Sequence, residues 1–201
     1  MSITGFALAA LLGAASSLAA AAPVTYEIDP DHTYPSFEAD HMGVSVWRGK
    51  LNKSSGTVIF DRGAGAGSVA VSIDLASIDF GQDALNQWAI GAKFFDIAKF
   101  PTATYRGNLA GFSGGAPTKI RGELTLHGVT RPVELKINSY KCVPHPMAKR
   151  ELCGADALAT IRRDEFGLDA GKAYGFDMNV VLRIQLEALG PLAAAPDKPG
   201  T

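Results

Sequence analysis

Apolar or small residues recur at every second position in several stretches of this chain, and this period constrains the fold more than any other feature. A period of two with many β-branched residues predicts strands that have one apolar and one polar face. Seven or more such strands bury their apolar faces in a closed barrel or in a sandwich. The clearest rows are Val69, Val71, Ile73 and Leu75; Ile120, Gly122, Leu124 and Leu126; Val133, Leu135 and Ile137; and Phe176, Met178, Val180, Leu182, Ile184 and Leu186.

Turn-forming stretches separate these rows, and helical spacing is rare. Residues 122–126 and 133–137 are predicted to form a hairpin, with 127–132 as the spacer and His127 in the turn. A helical pattern appears mainly in 82–99, and a short helical turn is predicted around Met42–Val46. We therefore predict an all-β fold, an antiparallel barrel of about eight strands with short helices in the loops. The interior of such a barrel is either filled by side chains or holds one small ligand, and alternation does not distinguish these outcomes.

The first 22 residues differ from the rest because they contain no charged side chain. An apolar core around Phe6–Leu12 runs into small residues with an Ala-x-Ala ending, which is the form of a secretory signal peptide. We predict that 1–21 is a cleaved signal peptide, that 22–189 is the folded domain and that 190–201 is a disordered tail. The alternative for 1–21 is an uncleaved membrane anchor. No other apolar run is long enough for stable membrane insertion.

The charges of the chain nearly cancel. There are 19 Lys and Arg residues against 20 Asp and Glu residues, for a formal net charge of -1. This balance argues against a nucleic-acid partner, which requires a basic face, and against a polybasic membrane-binding patch.

Two cysteines, Cys142 and Cys153, lie close together in the sequence. In an exported protein such a pair predicts a disulfide bond, which here would close a short proline-containing loop. The alternative is a metal site that also uses His145. Zinc would need one more ligand at a suitable spacing, and the sequence offers none there.

His32 and His41 are the other candidates for chemistry because aspartates flank both of them. A metal site is disfavoured, since Asp40 and His41 are adjacent and would point to opposite faces of a strand. We expect His32 and His41 either to hydrogen-bond at a strand end or to lie at the mouth of a cavity. The sequence contains no Gly-x-Ser-x-Gly, His-Glu-x-x-His or paired-carboxylate arrangement, so it predicts no catalytic residue, no metal and no cofactor. Binding is therefore favoured over catalysis.

Four motifs in order resemble those of the YceI-like family, the bacterial periplasmic polyisoprenoid-binding proteins. They are YEIDPDHTYPSFEADHMG from Tyr26, KFFDIAKFPTATY from Lys93, GELTLHGVTRPVEL from Gly122, and TIRRDEFGL, in which Arg163, Phe166 and Gly167 match an Arg-x-x-Phe-Gly pattern. The resemblance runs from Tyr26 to about Ala188. It implies a periplasmic protein with a lipocalin-like barrel that holds an isoprenoid, such as a quinone or polyprenyl phosphate, or a similar long-chain lipid for transport or storage.

Two other functions stay open at this point: an enzyme or metal-dependent protein that acts on such a lipid, and a filled barrel that serves in stress or interaction. The sequence also leaves open whether the protein forms a homodimer. If the barrel holds a lipid, its wall is expected to include Phe37, Trp47, Val71, Ile73, Phe94, Phe95, Leu124, Leu126, Leu135, Ile137, Phe166, Met178, Val180, Leu182 and Ile184.

Overall fold

The computed structural model of the chain describes residues 22–192. The predicted signal peptide and residues 193–201 of the predicted tail lie outside the described residues. The strands are β1 Val24–Ile28, β2 Ser36–His41, β3 Ser45–Leu51, β4 Ser54–Asp61, β5 Ala66–Asp74, β6 Ile78–Asp79, β7 Thr102–Ala110, β8 Lys119–Leu126, β9 Val129–Pro144, β10 Arg150–Arg162 and β11 Asn179–Leu192. One α-helix, α1, spans Asp83–Ile90. Residues 190–192 thus belong to β11, although they were predicted to be part of the tail.

Eight of these strands close into an antiparallel barrel, as the sequence predicts. Their order is β1, β4, β5, β7, β8, β9, β10 and β11, and β11 pairs again with β1 through Leu189 and Ala188. The first half of β11 pairs instead with β2, from Val180 to Arg183. Because β3 and β6 follow β2 in the sheet, these three strands form a flap beside one end of the barrel.

The alternating rows of the sequence face the interior of the barrel. Val69 on β5, Leu124 on β8 and Leu135 on β9 are buried in one core cluster. One inward position is a glycine, Gly122, because the ring of Tyr105 lies over it and leaves no room for a side chain. An added Cβ would lie 2.7 Å from the Tyr105 hydroxyl oxygen. The Tyr105 hydroxyl donates a hydrogen bond to the Val133 carbonyl at 2.8 Å, so this buried polar group has a partner.

Three local predictions from the sequence are wrong. The β8–β9 turn contains only His127 and Gly128, because Pro132 lies within β9 opposite Glu123. Proline is tolerated there since the first half of β9 pairs with β8 alone, so its missing N–H breaks no ladder on the other side. Helix α1 ends at Ile90 rather than continuing to 99, with Gly91 as its C-cap. Met42–Val46 forms the β2–β3 hairpin turn and the start of β3 instead of a helical turn.

No helix within residues 22–192 is long and apolar enough to cross a bilayer.

The predicted disulfide joins Cys142 on β9 to Cys153 on β10. The two residues are direct cross-strand partners, so the bond links neighbouring strands as well as closing the hairpin loop. Since both sulfurs are in the disulfide, neither is a thiolate that could serve with His145 as a metal ligand.

We expect the Cys142→Ala/Cys153→Ala double variant to unfold more easily than the wild-type protein by about 3 kcal/mol. An 11-residue separation gives this value when the bond acts by restricting the unfolded chain. Urea unfolding of both proteins under non-reducing conditions measures the difference. Equal midpoints would show that the bond adds no stability to the strand pairing around it.

Candidate functional site

A cavity of about 560 Å³ occupies the barrel interior. This volume lies within the range of small-molecule sites, which is about 300–1,000 Å³. All eight barrel strands contribute to its wall, together with β2 and β3 of the flap and with helix α1. The volume shows that side chains do not fill the interior. Because nearly all of the wall is aliphatic or aromatic, the interior is also poorly suited to water.

The two ends of the cavity differ. At one end Tyr26 and Phe60 are almost completely buried and pack with Cys153 and Ala188, which closes the barrel. At the other end lie α1, the hairpin turn after β2 and the segment between β10 and β11. Trp88 on α1 and Tyr174 in that segment both line the cavity, yet they are 44% and 83% exposed. The cavity therefore opens to solvent at this second end, which we call the mouth.

A small polar cluster covers the closed end from outside. The Tyr26 hydroxyl donates to Glu151 Oε2 at 2.5 Å, and Arg62 Nη2 donates to the same oxygen at 2.9 Å. Burial, aided by this bond to Glu151, raises the pKa of Tyr26 to about 12. Burial acts to raise the pKa of Glu151 as well, but the bonds from Tyr26 and Arg62 outweigh it and lower that pKa. Arg62 Nη2 also lies 3.2 Å from Cys142 Sγ, so the cluster connects the disulfide to the turn that follows β4.

The structure places thirteen of the fifteen predicted lining residues on the cavity wall. They are Phe37, Trp47, Val71, Ile73, Phe94, Phe95, Leu124, Leu126, Leu135, Ile137, Val180, Leu182 and Ile184. Phe166 and Met178 are not on the wall, although both are buried. Phe166 closes a 3-10 turn after β10, and Met178 precedes the first residue of β11. Period two indicates which side chains face inward, but it does not indicate where along the barrel the cavity ends.

Only one of the two histidines expected at the mouth lines the cavity. The His41 ring stacks on Trp47 with a centroid distance of 4.0 Å, and both rings are part of the wall. His32 lies outside the wall, where its Nδ1 is 2.9 Å from an Asp29 carboxylate oxygen. That hydrogen bond raises the pKa of His32. Within residues 22–192, one group of three side chains has possible metal-ligand atoms close together: Cys142, Glu151 and Cys153. This group contains neither His32 nor His41.

Several wall residues could not be predicted from period two because they lie in loops or in the helix. Leu85 and Trp88 on α1 line the cavity, and their spacing of three residues in the helical pattern of 82–99 is the signal that could have indicated a shared face. Tyr174 follows no period, and nothing in the sequence marks it. Arg163 was noted only as part of a motif, yet it is a charged residue on the wall.

Arg163 holds together the loop at the mouth. Its Nη1 and Nη2 donate to the carbonyl oxygens of Leu168 and Ala170 at 2.7 and 2.6 Å. Burial of the guanidinium lowers the pKa of Arg163. Because Leu168 and Ala170 also line the cavity, these bonds fix the shape of the wall near its opening.

His127 lies in the β8–β9 turn, as predicted, and outside the cavity wall. It has a φ of 52°, and its Nδ1 lies 3.1 Å from the Phe166 carbonyl oxygen. We expect His127→Ala to cost about 2 kcal/mol of stability, from the lost hydrogen bond and from the lost contact of the ring with Phe100, whose centroid lies 4.5 Å away. Ligand binding should remain nearly intact. Thermal unfolding and equilibrium lipid binding of the variant measure both effects, and a large loss of bound lipid would contradict the placement of His127.

A sequence model of the YceI-like domain matches residues 26–188, which covers the whole barrel except the ends of β1 and β11. The chain belongs to the YceI-like family. The first of its four motifs runs from β1 through β2, and the second runs from the segment before β7 into that strand. The third forms the β8–β9 hairpin, and the fourth runs from the end of β10 into the turn after it.

Named members of the YceI-like family agree with this assignment. The protein YceI of Salmonella arizonae is 35% identical over 176 residues, which cover 85% of this chain and 90% of that protein. A UPF0312 protein of Vibrio cholerae is 32% identical over 117 residues, which are 57% of this chain and 62% of that relative. The fold matches that of a polyisoprenoid binding domain from Saccharophagus degradans, with a TM-score of 0.61 at 18% identity over 83% of this chain and 98% of that one.

Proposed function

We propose that the protein binds a long-chain apolar lipid inside its barrel, for transport or storage. The observation that carries this proposal is the apolar cavity, which is closed at one end and open at the other. Each methylene group that moves from water into such a cavity contributes about 0.8 kcal/mol. A chain of tens of carbon atoms therefore binds tightly without directed polar contacts. The ligand class that fits best is an isoprenoid, such as a quinone or a polyprenyl phosphate.

In this proposal the thirteen predicted wall residues contact the lipid chain, and the polar end of the lipid lies at the mouth. Polar or charged side chains line the wall there, among them Asp40, His41 and Arg163. The closed end is lined instead by aromatic and small side chains, Tyr26 and Phe60 among them. A lipid that entered with its polar group first would have to bury that group in an apolar environment at considerable cost.

The comparison with the Saccharophagus degradans domain supports lipid binding, since that domain is described as binding polyisoprenoids. We infer binding rather than catalysis for this chain. If the protein were an enzyme that acts on such a lipid, substitution of His32 and His41 would abolish a measurable turnover. The two histidines do not form one site in the cavity, because His41 lines the wall and His32 lies outside it.

We further propose that the protein is exported to the periplasm and that residues 1–21 are removed. The disulfide between Cys142 and Cys153 supports this, since such bonds persist in oxidising compartments. Amino-terminal sequencing of the protein from a periplasmic fraction tests the proposal. A mature chain that begins at residue 21 or 22 is the expected result, and an intact Met1 on membrane-bound protein would favour the anchor.

Mass spectrometry of an organic extract tests the lipid-binding proposal directly. The protein is purified without detergent from the cells that naturally make it, and its lipid content is compared with its molar amount. We expect a prenyl lipid at close to one per chain. A folded protein that yields no lipid would favour an interaction role for the barrel, and an acyl lipid would keep the carrier function but change the ligand class.

A further inference from the structure

The mouth of the cavity is surrounded by exposed apolar side chains. Within residues 22–192 nine large apolar residues are strongly exposed, and six of them lie at this end of the barrel. These six, which we call the apolar rim, are Met42, Val44, Val46, Trp47, Trp88 and Tyr174. Apolar side chains scattered singly over a surface need no explanation, but a cluster around one opening indicates a contact surface.

The outermost part of the apolar rim is the turn between β2 and β3. Ala39 pairs with Val180, one residue after β11 begins, so the chain from His41 to Val44 extends past the end of β11. Val44 is 82% exposed and Met42 is 59% exposed, so neither contributes much to the core.

The turn is well defined by its own contacts. The Asp40 carboxylate accepts a hydrogen bond from the Gly43 backbone N–H at 2.8 Å. Met42 has a φ of 61°, a conformation that is unfavourable for a methionine and common for glycine. A large apolar side chain is thus kept at an exposed position where glycine would be more stable. Such a residue indicates selection for something other than folding.

The charge around the apolar rim indicates what covers it. Residues 41–47, 84–92 and 173–176, which supply the rim, contain no Asp, Glu, Lys or Arg. The exposed charged side chains beside them are of both signs: Arg48, Lys93 and Lys172, and Asp83 and Asp177. Arg48 and Lys172 are in ion pairs with Glu38 and Asp164. Because these charges are mixed and partly paired, the surface has little preference for anionic headgroups or for a charged protein partner. Tryptophan and tyrosine are instead the residues favoured at the boundary between lipid headgroups and hydrocarbon.

The rim is also continuous with the cavity. Three residues, Trp47, Trp88 and Tyr174, are exposed to solvent and also form part of the cavity wall. A lipid chain that leaves a bilayer at this point passes from hydrocarbon to the cavity along apolar side chains, without crossing water. A second copy of the chain seated on the rim would instead block the opening. Continuity therefore favours a lipid surface over self-association.

We propose that the apolar rim docks on a lipid bilayer, with the β2–β3 turn inserted at the headgroup boundary, and that lipid enters and leaves the cavity there. The exchange of lipid at the rim rests on the proposed lipid-binding function, but docking on a bilayer can be measured separately from lipid binding. Because the rim residues are uncharged and the charges beside them are of both signs, docking should depend little on anionic lipid. It is a reversible surface contact and not a membrane span.

Flotation of the protein with phosphatidylcholine vesicles tests docking. We expect Val44→Glu to reduce the vesicle-bound fraction at least tenfold, because a charge replaces an apolar group at the inserted turn. Met147→Glu is the matched control, since Met147 is 86% exposed in the β9–β10 turn at the opposite end of the barrel. It should float like the wild-type protein. Addition of phosphatidylglycerol to the vesicles should change the wild-type result less than twofold.

Met42→Gly separates docking from folding. It removes an apolar side chain from the turn and relieves the positive φ, so vesicle binding should fall several-fold while Tm does not decrease. Equal flotation of wild type, Val44→Glu and Met42→Gly would overturn the proposal. A wild-type dimer that Val44→Glu dissociates, with no flotation, would also overturn it and would assign the rim to a second copy.

Equilibrium binding of ubiquinone-8 delivered from detergent monitors the cavity independently. Val44→Glu should bind it like the wild-type protein, since Val44 is not part of the wall, but should take it up from vesicles at least tenfold more slowly. If the wild type binds ubiquinone-8 and does not float, docking fails while the proposed function stands. If it floats and binds no lipid from either source, the proposed function fails.

Discussion

Replacement of Ile184 by tryptophan is expected to weaken lipid binding about 30-fold while the protein stays folded. Ile184 lies on β11 opposite Ala157, and both residues line the cavity. A larger ring at this position fills space that the lipid chain would occupy. If two or three methylene groups lose their place in the cavity, the loss is about 2 kcal/mol. This corresponds to about a 30-fold increase in Kd.

Gln185→Trp is the matched control because it adds the same ring one position along the same strand. The Gln185 side chain is exposed and donates to the His32 carbonyl at 3.2 Å outside the barrel. Its replacement should leave ubiquinone-8 binding unchanged within about twofold. Thermal melts of both variants show that they are folded. Unchanged binding by Ile184→Trp would mean that the lipid does not occupy the barrel interior.

Gly56→Ala is expected to destabilise the protein by about 3 kcal/mol or more, which lowers Tm by about 6–12 °C. Gly56 lies on β4 opposite Val71 and has a φ of +148°. A Cβ there would lie 2.0 Å from the Ala70 carbonyl oxygen and 2.9 Å from the Val71 Cα. Both atoms belong to the backbone of β5, so no side-chain movement relieves the contact. The two strands must separate, or Gly56 must change its conformation.

Gly154→Ala provides the comparison for Gly56, since Gly154 is also a glycine within a barrel strand. An added Cβ would there lie 3.6 Å from its nearest neighbours, Glu187 Cγ and the Leu186 carbonyl oxygen, which is ordinary contact. We expect a change within about 1 kcal/mol, because alanine also restricts the unfolded chain. Thermal or urea unfolding of the two variants measures the contrast. Similar stabilities would show that β4 and β5 can separate at little cost.

The inward faces of the strands could be predicted because side-chain direction in a strand is a local property. Val71, Leu124 and Leu182 were assigned inward from period two alone, and the barrel places all three on the cavity wall. The hairpin around His127 and the disulfide were also predictable, since each depends on residues close together in the sequence. Predictions failed where tertiary pairing decided the outcome. Pro132 lies within β9 because that strand has no second partner there.

The shape of the candidate site could not be predicted in the same way. Tyr174 and Trp88 reach the cavity from a loop and a helix, and Phe166 is buried beside it without reaching it. Gly56 carries no sequence signal either, because its conformation results from the approach of β5. Each of these features depends on residues that are distant in the chain.

The sequence by itself determined the class of fold, four of the eight barrel strands and the side chains that face inward from them, the pairing of Cys142 with Cys153 and the family. Only the tertiary structure decided that the interior is open, that one end is closed around Tyr26 and Phe60, and that the mouth lies between α1 and the β2–β3 turn. The physical reason is the range of the interactions. Alternation follows from the geometry of a single strand. Empty space inside a barrel depends on the difference between the volume enclosed by all eight strands and the volume of every side chain that points into it.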